Sequence, residues 1–462
     1  MIGMQKLLLF VAFVASFTGK AVAAPHIVVF LSDDHTLLDC SLYGSREIDT
    51  PNMARLAADG MTFNRAFVAS PSCAPSRAAL LTGLMPAHNG AEANHAQPRK
   101  EIKRLPAYFH DLGYEVVSFG KTAHYNQVKQ YGFDIARHSN YHEDVAVGEA
   151  VKWLKQRDDQ RPLCLIVGTN WPHVPWPELS TITVNDVRIP DKHVDTPKTR
   201  QARARYLQAI KTMDDELGAV YDAAVEKLGD DVLFVHTSDH GAQWPFSKWN
   251  LYDDGIRTPL VVRWKGRVAQ GVRTDAMVSW VDILPTLIEA AGGAPPDALD
   301  GRSFLPVLSG TTNEHRAEIF TTHSGDGNYN VYPARSIRDG RYKYILNLHP
   351  EFRFQSHVTL VEKDGGYWKS WVRKAQTNAD AAEKIRRYQQ RPGEELYDLD
   401  TDPDERRNLA DDPQHAERLT AMRARLAKWL EEMGDQRKVF GQPNLLSDEP
   451  GLPRAREKAA QN

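Results

Sequence analysis

Cys73 opens the segment Cys73-Ala74-Pro75-Ser76-Arg77-Ala78-Ala79-Leu80-Leu81-Thr82-Gly83. Pro75 suits the first turn of a helix, where backbone N–H groups have no partner within the helix, and the Ala-Ala-Leu-Leu run continues it. Free N–H groups and the helix dipole favour negative charge at that end, and Arg77, one turn on, adds a fixed cation. A lone cysteine at a helix start is ordinary. Its company is less so, because acids and bases also follow four short apolar runs: Asp33-Asp34, Lys121 with His124, His173, and Asp239-His240. Taken singly, an Asp pair caps turns and a His or Lys after a strand is solvated. If the runs are neighbouring strands, however, these residues share one crevice. Three bare carboxylates brought to about 4 Å would then repel by several kcal/mol at a protein-like dielectric. A hard divalent cation resolves that conflict. An oxygen-rich site suits Ca²⁺ or Mg²⁺, and no Cys/His cluster has zinc spacing. His240 is the atypical member of such a ligand set.

The elements that must position these groups are legible as runs. Ile27 to Leu31, Val116 to Phe119, Leu163 to Val167 and Val232 to Thr237 are short, apolar and rich in β-branched residues, as in a parallel sheet buried on both faces. Tyr206, Ile210, Met213, Leu217, Val220, Tyr221, Ala224 and Leu228 recur at three- and four-residue spacing, which predicts a long amphipathic helix ending near Gly229. The fold class is therefore α/β, a large mainly parallel sheet flanked by helices, and in such sheets ligands bind at the carboxyl ends of the strands. After residue 320 a strand-like Tyr342 to Leu346, then Glu395 to Leu399 and a helix through Arg418 to Trp429, predict a smaller α+β subdomain. The expected division is 24–320 for the catalytic domain, 321–440 for the C-terminal subdomain and 441–462 for a loose tail. The charged stretch 350–392 reads as a solvated insertion or a loop over the site.

The chain has 462 residues, 42% of them hydrophobic and 25% charged, with a net charge of -3, so it lacks the basic excess that nucleic acid would attract. An anionic substrate stays possible, since a few cations in one cleft suffice. Lys6, the apolar Leu7 to Phe17 and Ala21-Val22-Ala23 predict a secretory signal peptide over 1–23, whose apolar core is shorter than the roughly 20 residues that span a bilayer. Stable membrane insertion is not expected. Three cysteines, Cys40, Cys73 and Cys164, leave at least one thiol unpaired after export, and no Asn-x-Ser/Thr acceptor occurs. A bacterial periplasmic or secreted protein fits.

Cys-x-Pro-Ser-Arg followed by Leu-Thr-Gly resembles the signature of the type I, formylglycine-dependent sulfatases. Asp33-Asp34, Gly120-Lys121, Pro172-His173, Ser238-Asp239-His240-Gly241 and Lys248 fall in that family's order, and Glu395-Leu396-Tyr397-Asp398 resembles its C-terminal signature, so the likeness runs from about residue 25 to 435. The resemblance implies an alkaline-phosphatase-like fold and a cysteine converted by a maturation enzyme to formylglycine, whose hydrate is the nucleophile. It implies calcium, ahead of magnesium, held by Asp33, Asp34, Asp239, His240 and the modified Cys73. It gives Arg77 the bracing of the hydrate, Lys121 and Lys248 the clamping of sulfate oxygens, and His124 and His173 proton transfer. Two departures, His240 where many members have Asn and the spacing Lys121-Thr122-Ala123-His124, look like those of the iduronate sulfatases.

Tyr332-Pro333-Ala334-Arg335-Ser336 and the segment from Trp429 to Asp435 resemble the N-sulfoglucosamine sulfohydrolases and related polysaccharide sulfatases, which makes Asp435 a candidate sugar contact. The sulfamidases lead one to expect an acid at Gly327, and none stands there, which favours O-sulfate of a sulfated carbohydrate over N-sulfate. Trp171, Trp176, Trp244 and Trp249 flank the expected site and are candidate sugar platforms. A phosphodiesterase or phosphonate hydrolase of the same superfamily, and an unmatured glycan-binding relative, are the alternatives of other classes.

Overall fold

The computed structural model describes residues 24–138, 145–360 and 366–448. The expected signal peptide, 1–23, and the end of the expected tail, from 449, lie outside the described residues. All four apolar runs are strands of one eight-stranded sheet, in the order Ile135–Arg137, Glu115–Gly120, Leu163–Gly168, His26–Ser32, Val232–Ser238, Leu260–Trp264, Met61–Phe63 and Val272–Thr274. The first five are parallel, and Leu260–Trp264 runs antiparallel to both its neighbours. Ile27 to Leu31 are fully buried, as burial on both faces of a central strand requires.

The long amphipathic helix is Pro197–Leu228; Thr196 caps it by accepting from the Thr199 N–H, and Gly229 follows its last turn. Arg203 ties it to the site side of the sheet by pairing with Asp39 and Glu47. Beyond it, Ile319–His323, Ala334–Arg338, Tyr342–Asn347 and Glu394–Asp398 form a second, wholly antiparallel sheet. The helix Ala416–Glu432 covers one face of it, packing Leu419, Met422, Leu426 and Leu430 on Ile337, Tyr344 and Leu396.

The stretch 350–392 is not a solvated insertion. It folds into the helices Tyr367–Ala375 and Ala379–Gln389. Tyr367, Trp368, Trp371 and Tyr388 are buried, and the Trp371 indole N–H donates to Thr199 on the long helix at 2.8 Å. Aromatic burial on one face outweighs the charge of the others. The tail is also fastened at its start, since Arg353 N–H donates to Asn444 and Leu446 N–H to Glu351.

Candidate active site

The Cys73–Thr82 helix is buried along its whole length, and Gly83 ends it in the left-handed conformation. Asn94 Oδ1 accepts the N–H of Ala74, satisfying one of the free donors of the first turn. Cys73 thus stands at the helix start with its Sγ 3.9 Å from Asp33 Oδ1, 3.2 Å from His240 Nε2 and 3.7 Å from Lys121 Nζ. Asp33 and Asp34 follow strand His26–Ser32, and Asp239 and His240 follow its parallel neighbour Val232–Ser238. Lys121 follows Glu115–Gly120. There Gly120 adopts φ +75°, and a Cβ on it would lie 2.0 Å from the Gly168 carbonyl oxygen, so only glycine allows the turn that aims Lys121 inward. Asp34 has φ +67°, a conformation costly for a non-glycine residue and tolerated where surrounding structure enforces it.

Asp33, Asp34 and Asp239 are fully buried. Arg77 bonds Asp239 through Nε at 2.9 Å and lies 3.2 Å from Asp33 through a terminal nitrogen, Lys121 pairs with Asp33, and Lys248 reaches both oxygens of Asp34 at 2.7 and 2.9 Å. Three carboxylates thus face three cations. Burial opposes ionisation of Asp33, but Lys121, Arg77 and Lys248 together hold its carboxyl well below the usual range. Asp34 fares differently: burial, helped by repulsion from Asp33, raises it to about 7 despite Lys248. Burial also raises the Cys73 thiol, so the nearby lysines do not make it a thiolate.

One atom of each of Asp33, Cys73, Asp239 and His240 lies within 4.8 Å of the others, and Asp34, Cys73 and His173 form a second such group. The donor chemistry fits a cation. His240 Nδ1 lies 2.9 Å from the Gly241 carbonyl oxygen, which can only accept, so the proton is on Nδ1 and Nε2 carries a lone pair. That lone pair stands 3.4 Å from Asp239 Oδ2, two electron-rich atoms whose contact is repulsive until a cation lies between them. His173 is fixed likewise, its Nδ1 2.6 Å from the Val174 carbonyl and its Nε2 3.8 Å from Asp34. Burial and then Lys248 and Lys121 hold its pKa well below the ordinary value, so it rests neutral.

Of the residues expected at the site, Asp33, Asp34, Cys73, Arg77, Lys121, His173, Asp239, His240 and Lys248 converge. His124 is buried and turns its Nε2 to His95 at 2.7 Å rather than to the acids. Asp435 pairs with Arg335 at 2.5 and 3.1 Å, and its carboxylate is 1% exposed. Trp176 and Trp244 stack on each other at 4.9 Å inside the core and Trp249 is buried, which leaves Trp171 as the partly exposed one of the four. Sequence reasoning missed His95, Asn94 and Asp326. Asp326 stands one residue before the position where an acid was sought and pairs with His95 at 3.1 Å.

Residues 25–294 match the family described as Sulfatase, and residues 240–356 match the one described as N-sulphoglucosamine sulphohydrolase, C-terminal. An ulvan-active sulfatase of Formosa agariphila is 30% identical over 89% of this chain and 81% of its own length. The human N-sulphoglucosamine sulphohydrolase is 28% identical over 90% of this chain and 92% of its own. Among solved structures, a 2-O glycosaminoglycan sulfatase superposes with a TM-score of 0.69 at 22% identity, covering 93% of this chain and 99% of that one. A phosphonate monoester hydrolase of Silicibacter pomeroyi reaches 0.67 at 19%, over 89% and 96%, so at such identities the likeness reports the fold and not the reaction. No helix among the described residues is long and apolar enough to cross a membrane.

Proposed function

The chain belongs to the sulfatase family, whose members are sulfuric ester hydrolases, and we propose that it removes O-sulfate from a sulfated carbohydrate with formylglycine at position 73 and a calcium ion beside it. The observation that carries this reading is the cluster of Asp33, Asp239, His240 and Cys73 at two adjacent strand ends, ringed by Arg77, Lys121 and Lys248. Asp33, Asp34, Asp239 and His240 would hold the ion, which supplies Lewis-acid stabilisation of the charge on a sulfate oxygen when bound. The modified side chain, made by a maturation enzyme, supplies a hydrated aldehyde as nucleophile in place of a thiol that burial keeps protonated.

The chain's own residues do the rest. Arg77, closed on two carboxylates, keeps the ligand oxygens fixed. Lys121 and Lys248, whose carboxylate partners would be shared with the bound cation, would turn their ammonium groups to the sulfate oxygens, a preorganised clamp that stabilises charge as the ester bond lengthens. The neutral His173, protonated on Nδ1, can accept a proton on Nε2 and return it to the departing sugar oxygen. The catalytic assignments are thus Cys73, Arg77, Lys121, His173 and Lys248, with His124 a second proton carrier. Division into a catalytic domain and a C-terminal subdomain, and export by the 1–23 leader, belong to the same proposal.

N-sulfate is the second reading, favoured by the match of residues 240–356 and by the human relative. Protein coexpressed with a formylglycine-generating enzyme, assayed on defined O-sulfated and N-sulfated saccharides, decides between them. Release from O-sulfated sugars is expected. Release from N-sulfated glucosamine alone would transfer the assignment to a sulfamidase, and none from any member, with Cys73 shown to be modified, would end the proposal.

A further inference from the structure

His124 Nε2 lies 2.7 Å from Nδ1 of His95, and His95 Nε2 lies 3.1 Å from Asp326 Oδ1. His357 Nδ1 stands 3.3 Å from the other Asp326 oxygen. The arrangement is built rather than incidental. Asn94 accepts from Ala74 at the start of the Cys73–Thr82 helix and donates its own N–H to the Gly325 carbonyl, so it pins the preceding loop between that helix and the Asp326 turn. His95 is held at φ +69°, and its carbonyl accepts from Gln127. A side chain kept in a costly backbone conformation between two partners is over-determined by its surroundings.

For a neutral His95, hydrogen-bond arithmetic assigns every proton. Burial opposes ionisation of Asp326, yet His95 and His357 hold it at about 2, so the carboxylate only accepts. The proton between Asp326 and His95 therefore belongs to His95 Nε2. A neutral imidazole has one N–H, which makes His95 Nδ1 an acceptor, so the contact with His124 is donation from His124 Nε2. What remains on His124 is a lone pair on Nδ1, buried and without a hydrogen-bond partner among the described residues. Burial first, then Lys121 and His95, lowers the His124 pKa well below its usual value, which keeps that pair available.

We propose that Asp326 and His95 are positioning residues that set the tautomer of His124, so that its Nδ1 serves as a proton acceptor in the pocket and its Nε2 as the exit. A proton taken on Nδ1 makes an imidazolium, the Nε2 proton passes to Nδ1 of His95, and the charge comes to rest on His95 opposite Asp326. The His95 side chain is 60% exposed, so water completes the path. The groups facing His124 are Lys121, Arg77, Tyr125 and His95, with His138 beyond Tyr125. The two lysine and arginine cations favour moving a proton outward. The purpose of the path rests on the sulfatase reading; the tautomer does not.

Two-bond ¹H–¹⁵N spectra of the full chain labelled in histidine test it directly. His95 and His124 should both be protonated on Nε2. In Asp326→Ala the bias is lost: both rings should show mixed tautomers, and kcat should fall about 10²-fold, the usual worth of a general acid or base, with KM within about twofold. Asp326→Asn, whose amide oxygen can still accept from His95, should restore part of the rate. Wild-type His124 protonated on Nδ1 overturns the proposal even if no variant folds, and so does an Asp326→Ala protein that raises KM alone, which would make Asp326 a sugar contact. If the matured wild type releases no sulfate while both tautomers are as assigned, the sulfatase reading fails and the proton wiring stands.

Discussion

Asp34 and Asp282 are both wholly buried carboxylates, and the protein treats them in opposite ways. Asp282 accepts from the N–H groups of Ser279 and Arg302 at 2.8 and 2.9 Å and from Arg316 Nε at 2.7 Å, with His315 at 3.1 Å. Although burial opposes it, Arg316 and His315 hold its carboxyl far below the ordinary range. Asp34 has Lys248 at 2.7 and 2.9 Å and the His240 Nδ1 only at 3.5 Å, stands next to Asp33, and is pushed up to about 7. The difference teaches that buried charge does not by itself mark a functional site. At Asp282 fixed donors complete the ion, a structural arrangement that ties residues 279–282 to 300–316. At Asp34 the protein leaves the ion short of positive charge, and beside it His240 aims a lone pair at Asp239. That deficit is what a guest cation fills.

The comparison can be broken in several ways. Replacing the group the site exists to serve should have the largest effect: Cys73→Ala should lower sulfate release by about four powers of ten or more, the usual cost of losing a nucleophile, with the circular dichroism spectrum unchanged. Next, Asp282→Ala should cost about 3–5 kcal/mol in urea unfolding, because it strands the buried Arg316. Asp34→Asn should cost metal-free protein less than Asp282→Ala does, because the amide oxygen can still accept from the buried Lys248 ammonium that the substitution would otherwise strand. A large loss there would mean that Asp34 is structural.

Calcium sharpens the contrast. At a hundredfold excess over its dissociation constant it should stabilise the wild type by about 2.7 kcal/mol, read as a rise in Tm that a chelator reverses, and should do much less for Asp34→Asn. The smallest effect is on acid stability. Because the folded-state pKa of Asp282 is depressed, its contribution is whole above the unfolded value of about 3.9 and is lost as pH falls below it. The stability gap between wild type and Asp282→Asn should therefore narrow from pH 6 to pH 3, followed by urea titration at each pH.

Much of this was legible beforehand for a physical reason. Strands buried on both faces need uninterrupted apolar runs, so Ile27 to Leu31 and Val232 to Thr237 declared themselves, and their ends carried the acids. The Cys73 helix was legible because Pro75 and Gly83 punctuate it. Helix 367–375 was not, because its burial depends on Tyr367 and Trp371 meeting the long helix, while its other faces are charged. His95 and Asp326 escaped for another reason: they sit on loops more than two hundred residues apart, and no spacing or periodicity joins them until the fold does. The pairing of Asp435 with Arg335 was equally hidden, because an acid looks the same in sequence whatever side chain the fold brings to it.

The central claim is that one divalent ion and the side chain of residue 73 share a pocket at the strand ends. A crystal structure of the matured, calcium-loaded protein tests it most directly. The account expects calcium at about 2.3–2.6 Å from carboxylate oxygens of Asp33, Asp34 and Asp239, with residue 73 as formylglycine beside it and Lys121 and Lys248 released from the acids. Calcium bound elsewhere, with both lysines still closed on Asp33 and Asp34, would contradict it.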